Sequence, residues 1–244
     1  MRSPIKNLKR QTNSISTIKD LVPKGTIVQT YPFYDGAIEF ALSESDRCVV
    51  GTTLSPVLYE FWTYTIKDPK RVSLIANKMF SILNQNTFDL LKENWHSYKD
   101  PFVRSALFFL LNRCSSLGMI THGELDTKNY NPLSLNQLRT FEIDNFFCIL
   151  QEGQYTSLEK TEINIFDGGK YYYDLLSTDP IIGLEESPFK HTRMLNNFSS
   201  TPSIFIYNYH PRLSKIRDYN KILLDHNGRI TTEDHAKEII LHNV

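Results

Sequence analysis

The chain has 244 residues, is 41% apolar and 22% charged, and has room for one α/β domain or for such a domain carrying an insertion. Its longest apolar run, residues 106–111, is far short of the ~20 needed to span a bilayer. The first residues carry charge but no apolar secretion-signal core, so a cytoplasmic protein without membrane contact is expected. The 27 basic and 27 acidic residues cancel, which weighs against tight, non-specific binding of nucleic acid.

The chain opens on a basic arm: Arg2, Lys6, Lys9, Arg10, Lys19 and Lys24 face only Asp20 within the first 24 residues. Such an arm either contacts phosphates or is simply solvated. Residues 26–31 (TIVQTY) are β-branched and follow the turn Pro23-Lys24-Gly25, which predicts a first strand. Asp35-Gly36 then turns into a short helix over 37–42, and 48–52 (CVVGT) reads as a second strand. A helix opens at Ser55-Pro56, with serine as cap and proline at the first helical position. This β-α-β alternation predicts an open parallel sheet.

The middle of the chain is helical. Apolar residues recur at helical spacing over 72–83, and helices are also predicted over 87–97 and 102–114. Residues 117–132 read as loop or hairpin, and Ser134-Leu135-Asn136-Gln137 as a capping box that starts another helix. Sheet pattern returns at 146–150, 163–166, 203–209, 221–224 and 238–242. The expected layout is an α/β core from 1–60 and 146–244, with a helical insertion at 61–145. Cys48, Cys114 and Cys148 are scattered and odd in number, and neither they nor the histidines have metal-ligand spacing, so no metal is expected.

Ligands of an open α/β sheet bind beyond the carboxyl ends of its strands, where the strand order reverses. The loops expected there contain Pro32-Phe33-Tyr34-Asp35-Gly36, Thr53-Leu54-Ser55-Pro56, Gln151-Glu152-Gly153, Asp167-Gly168-Gly169-Lys170 and His210-Pro211. Their order resembles the Dam-like class of adenine-specific DNA methyltransferases. Ser3-Pro4-Ile5-Lys6 is similar to that family's opening segment, and Tyr31-Pro32-Phe33-Tyr34-Asp35-Gly36-Ala37 to its glycine-rich turn after the first strand. Thr53-Leu54-Ser55-Pro56 stands where the second strand ends in an acid, and residues 106–113 resemble a helical segment ending Leu-Asn-Arg. Asp167-Gly168-Gly169-Lys170 occupies the place of the catalytic Asp-Pro-Pro-Tyr. Residues 237–243 resemble the closing strand.

The resemblance implies a Rossmann-like fold and methyl transfer from S-adenosylmethionine to the amine of an adenine flipped out of double-stranded DNA. It implies cofactor contacts by Lys6, Pro32, Phe33, Asp35, Gly36 and Thr53. Catalysis falls to Asp167, Gly168, Gly169 and Lys170, and DNA contact to Lys9, Arg10, Asn112 and Arg113. The replacements bear on each step. Thr53 lacks the charge that would hold the ribose, Asp35 sets an anion beside the cofactor's carboxylate, and Lys170 replaces the stacking aromatic. Each motif also has a plain structural reading: Asp167 as a turn residue, Asn112 and Arg113 as helix-end caps, and Tyr171-Tyr172-Tyr173 as core or interface. Three expectations stand: a catalytically degenerate methyltransferase homologue retained to bind DNA or a protein partner, an active divergent methyltransferase, or an assembly protein, phage or viral, that reuses the fold, as a homo-oligomer or with a partner. In the first and third, no cofactor is bound.

Overall fold

The computed structural model describes residues 3–6, 13–117, 120, 123–169 and 191–244. Their contacts fall into two units. The helical unit is built on Ser55–Ile143 together with the segment at 3–6; the sheet unit comprises the rest of the described chain.

The sheet unit holds seven strands among the described residues: β1 (Ile27–Tyr31), β2 (Cys48–Thr53), β3 (Phe146–Leu150), β4 (Ile163–Gly169), β5 (Ser203–Asn208), β6 (Asn220–Leu224) and β7 (Glu238–His242). Their order is β3-β2-β1-β4-β5-β7-β6. The pairs β1–β2, β2–β3, β1–β4 and β4–β5 are parallel, whereas β7 runs antiparallel to both β5 and β6. The chain thus lays strands outward on one side of β1 and then resumes on the other with β4, so the strand order reverses between β1 and β4. This mostly parallel α/β architecture agrees with the Rossmann-like expectation.

Stacked aromatics bind the central strands to one another. The Tyr31 ring lies 4.7 Å from that of Phe166, and Phe166 lies 4.5 Å from Phe205, each pair stacked with nearly parallel planes. All three rings are fully buried, and Phe198, in the turn that follows the helix at His191–Asn197, packs edge-on against Phe166. Such cross-strand ring pairs fix register because a one-residue slip would turn every ring to the opposite face. The Tyr31 hydroxyl remains satisfied, 3.0 Å from the Thr156 carbonyl and 3.0 Å from Asn164 Oδ1.

Helices of this unit are α1 (Ile15–Leu21), α2 (Ala37–Ser43) and α8 (His191–Asn197). Neither α1 nor α8 is evident in the sequence pattern; both have only seven residues, too few for a clear period. In the helical unit α3 (Pro56–Lys67), α4 (Pro69–Phe80), α5 (Gln85–Asn94), α6 (Pro101–Cys114) and α7 (Pro132–Arg139) follow one another. Helix α6 is buried on every side: residues 105–112 are all inaccessible, as befits the element the others pack around. Among the described residues, no helix is long and apolar enough to cross a membrane.

Candidate functional site

The carboxyl ends of β1, β2, β4 and β5 carry Tyr31, Thr53, Gly169 and Asn208. Because β7 runs the other way, its first residue, Glu238, pairs with Asn208 and joins the same edge. This edge, at the reversal between β1 and β4, is where the fold would place a ligand.

The turn after β1 is closed on itself. Gly36 adopts φ 79°, a left-handed conformation that favours glycine, and begins α2. A Cβ on Gly36 would come within 2.1 Å of the Phe40 ring, so the ring occupies the space a side chain would need. Asp35 is only 5% exposed, and its Oδ1 accepts the Ala37 amide at 3.0 Å. One of the orphan amides at the start of α2 is therefore engaged by the chain's own carboxylate. Phe33, fully buried, packs against Gly51 and against the rings of Phe40 and Phe146, 6.4 and 5.1 Å away. Its amide donates to the Thr52 carbonyl at 2.7 Å, which ties the turn to β2. Pro32 is half-buried.

Thr53 was expected in a loop beyond the second strand. It is instead the last residue of β2, fully buried, and its carbonyl accepts the Gln151 amide at 3.0 Å. Strand β4 likewise runs on through Asp167, Gly168 and Gly169, where Phe166 was expected to end it. The pairing with β5 shifts register between Asp167 and Gly169, so Gly168 sits at an irregularity of bulge type. A Cβ there would lie 1.9 Å from the Tyr207 ring. Glycine at 168 is thus required by the tyrosine beside it in β5. Lys170, expected at the stacking position, and Lys9 and Arg10 of the basic arm lie outside the described residues, as do Tyr171, Tyr172 and Tyr173.

Asn112 and Arg113, the expected DNA contacts, hold the opening segment in the helical unit. The Asn112 amide group is fully buried and reads the Lys6 backbone at both ends: Oδ1 accepts the Lys6 amide at 2.6 Å, and Nδ2 donates to the Lys6 carbonyl at 2.9 Å. Arg113 Nε donates to the Pro4 carbonyl at 2.6 Å, and burial disfavours its charge. Burial also lowers the Lys6 ammonium below the usual lysine range, partly countered by Asp126. Lys6 belongs to this unit by its contacts, whereas the other five cofactor candidates belong to the sheet unit.

Glu238 is the acid that the sequence reading passed over. It is 1% exposed, and burial pushes its carboxyl up to about 7. The Ser14 hydroxyl and amide, just ahead of α1, pull it back, and the Asp167 charge raises it further. Neither Glu238 oxygen nor the Ser14 hydroxyl is in good hydrogen-bond geometry, so their proximity offsets only part of the desolvation cost. Asp167, itself half-buried, stands close enough for its charge to act on the Glu238 carboxyl. The signal was present in the sequence: a glutamate leads an otherwise apolar strand, EIILH. Cys114 and Cys148 offer no comparable chemistry, since burial pushes Cys114 up to about 12 and Cys148 higher still. Among the described residues, no group of three or more His, Cys, Asp or Glu side chains is placed to hold a metal ion.

Comparison of the chain with protein-family models and with curated protein sequences gives no match.

Proposed function

We propose that this chain is a Dam-like adenine-specific DNA methyltransferase homologue that no longer carries out methyl transfer and persists as a binding scaffold. Two supports are independent of each other. The ordered motifs of the sequence resemble that family, and the sheet reverses its order between β1 and β4 with an antiparallel β7 inside the β5 edge, a layout compatible with the Rossmann-like core the resemblance implies.

The observation that carries the degenerate reading is the turn after β1. In the family this turn faces the cofactor's methionine end. Here Asp35 engages the Ala37 amide and Phe40 fills the space over Gly36, so an incoming carboxylate meets a like charge and a ring. Thr53 offers the ribose no charge, and Gly168 leaves no space for the family's proline against Tyr207.

Calorimetric titration of the full chain with S-adenosylmethionine tests this reading. No saturable heat is expected at cofactor concentrations of about 100 μM, because the lost acceptor alone removes a charged hydrogen bond of roughly 1.5–3 kcal/mol. A dissociation constant in the low micromolar range would restore the active-enzyme reading.

A further inference from the structure

The helical unit contains a cleft of about 720 Å³ that has no part in the proposed cofactor site. It lies where α3 gives way to α4 and where α7 ends, and its lining is Ile66, Pro69, Lys70, Arg139, Phe141 and Ile143, with Thr140 and Glu142 beside them. The apolar members form walls: Ile66 is 36% exposed, while Phe141 is 3% exposed and so anchored in the core.

Charge decides what such a cleft would hold. Lys70 and Arg139 are both exposed, and among the described residues neither forms an ion pair. The neighbouring Arg71, one residue beyond Lys70, is by contrast paired with Asp100 at 2.8 Å. Arg139 is also oriented, since its Nη2 donates to Asn136 Oδ1 at 2.9 Å and so draws the guanidinium back along α7. Lys70 and Arg139 line the same cleft; a guanidinium fork and an ammonium in one lining suit a compact dianion, and guanidinium planes suit phosphate oxygens in particular. Concave sites with apolar walls and few polar groups take ligands with a flat or apolar body.

We propose that this cleft binds a phosphate monoester borne on a planar or apolar group, the chemistry of a nucleoside monophosphate. Lys70 and Arg139 receive the phosphate, and Ile66, Pro69 and Ile143 receive the body. Glu142 opposes further negative charge in the same lining. The ester is available either as a free mononucleotide or as the 5′-terminal phosphate of a nucleic-acid strand. The cleft stands whether or not the methyltransferase reading holds, since it uses none of the same residues.

The test is titration of the full chain, by calorimetry or by chemical-shift changes, with adenosine monophosphate, adenosine, inorganic phosphate and a short oligonucleotide with or without a 5′-phosphate. Saturable submillimolar binding of the monophosphate is expected, at least tenfold tighter than that of adenosine or inorganic phosphate. Lys70→Ala and Arg139→Ala should each weaken it about tenfold, and Glu142→Gln should strengthen it a few-fold. All three side chains are exposed, so an unchanged melting temperature should accompany the loss. Preference for the phosphorylated oligonucleotide over the free nucleotide identifies the strand end as the source, and the reverse identifies the free nucleotide. Failure to saturate at millimolar monophosphate, equal binding of inorganic phosphate, or affinity indifferent to Lys70→Ala and Arg139→Ala overturns the proposal.

Discussion

Glu238 makes the behaviour of a single residue measurable. Its carboxyl sits at about 7 in the fold against an ordinary value of 4.5, chiefly because it is removed from water. A raised carboxyl favours folding in its protonated form, so its contribution is complete below the unfolded value. That contribution is lost as pH rises through about 7. The difference corresponds to about 3 kcal/mol as an upper figure, at ~1.4 kcal/mol per unit. Glu238→Gln keeps the shape and removes the ionisation. Urea unfolding from pH 4.5 to 8 should therefore show the parent losing stability across that window and the variant holding steady, with the variant the more stable at pH 8. Parallel profiles for the two proteins would show that Glu238 is not the titrating group. The acid was legible as a charge at the head of an apolar strand, but its burial was not, because nothing local reveals that Asn208 and Leu224 flank it on both sides.

At the scale of elements, the helical unit is punctuated by one repeated device. Four of its helices begin with a capping residue followed by proline: Ser55-Pro56, Asp68-Pro69, Asp100-Pro101 and Asn131-Pro132. In each, the cap side chain accepts an amide of the first turn, while proline needs no partner and its fixed φ suits the helix. Apolar spacing alone starts α4 at 72, three residues late, and the Ser134-Leu135-Asn136-Gln137 pattern points to Ser134 as the cap of α7. Asn131 holds that cap, with Ser134 returning a bond to its amide. Strands were legible wherever they were β-branched or aromatic; all the described strands but β4 lie within a residue of expectation. The end of β4 was not, because Gly168-Gly169 reads locally as a turn and is held extended by β5; β2 runs one residue further than expected, Thr53 pairing with Leu150 of β3 just ahead of the cap at Ser55. Asp68→Ala should cost about 1 kcal/mol by removing the acceptor for the Arg71 amide, and Asp68→Ser should recover most of it. Denaturant midpoints of the two variants decide this: equal losses would mean that proline alone sets the start of α4.

On the scale of the whole molecule, the question is whether the lost motifs are local substitutions or have been absorbed by the packing around them. From sequence alone, positions 35 and 53 look like loop sites where Asp35→Gly and Thr53→Asp would be tolerated and would restore cofactor affinity. The packing argues otherwise. Thr53 is fully buried in β2, and a carboxylate there would be desolvated, a cost of several kcal/mol unless it stays protonated. Asp35 supplies an acceptor to the first turn of α2, and glycine would leave that amide unmet while loosening the turn. Gly168→Pro brings a ring into Tyr207 and removes an amide from a paired strand. Each substitution on its own therefore destabilises the sheet unit, and the three meet at neighbouring strand ends, where their effects need not add. Restoring all three is expected to lower the melting temperature by about 10 °C or more, at the ~2–4 °C per kcal/mol of a chain this size, before any cofactor affinity emerges. Thermal unfolding of the triple variant, with and without S-adenosylmethionine, separates the alternatives. A folded variant stabilised by the cofactor would mean that the site was lost by point substitution and is only three residues from recovery. A destabilised variant indifferent to it would mean that Phe33, Phe40 and Tyr207 have taken over the space the cofactor would have used.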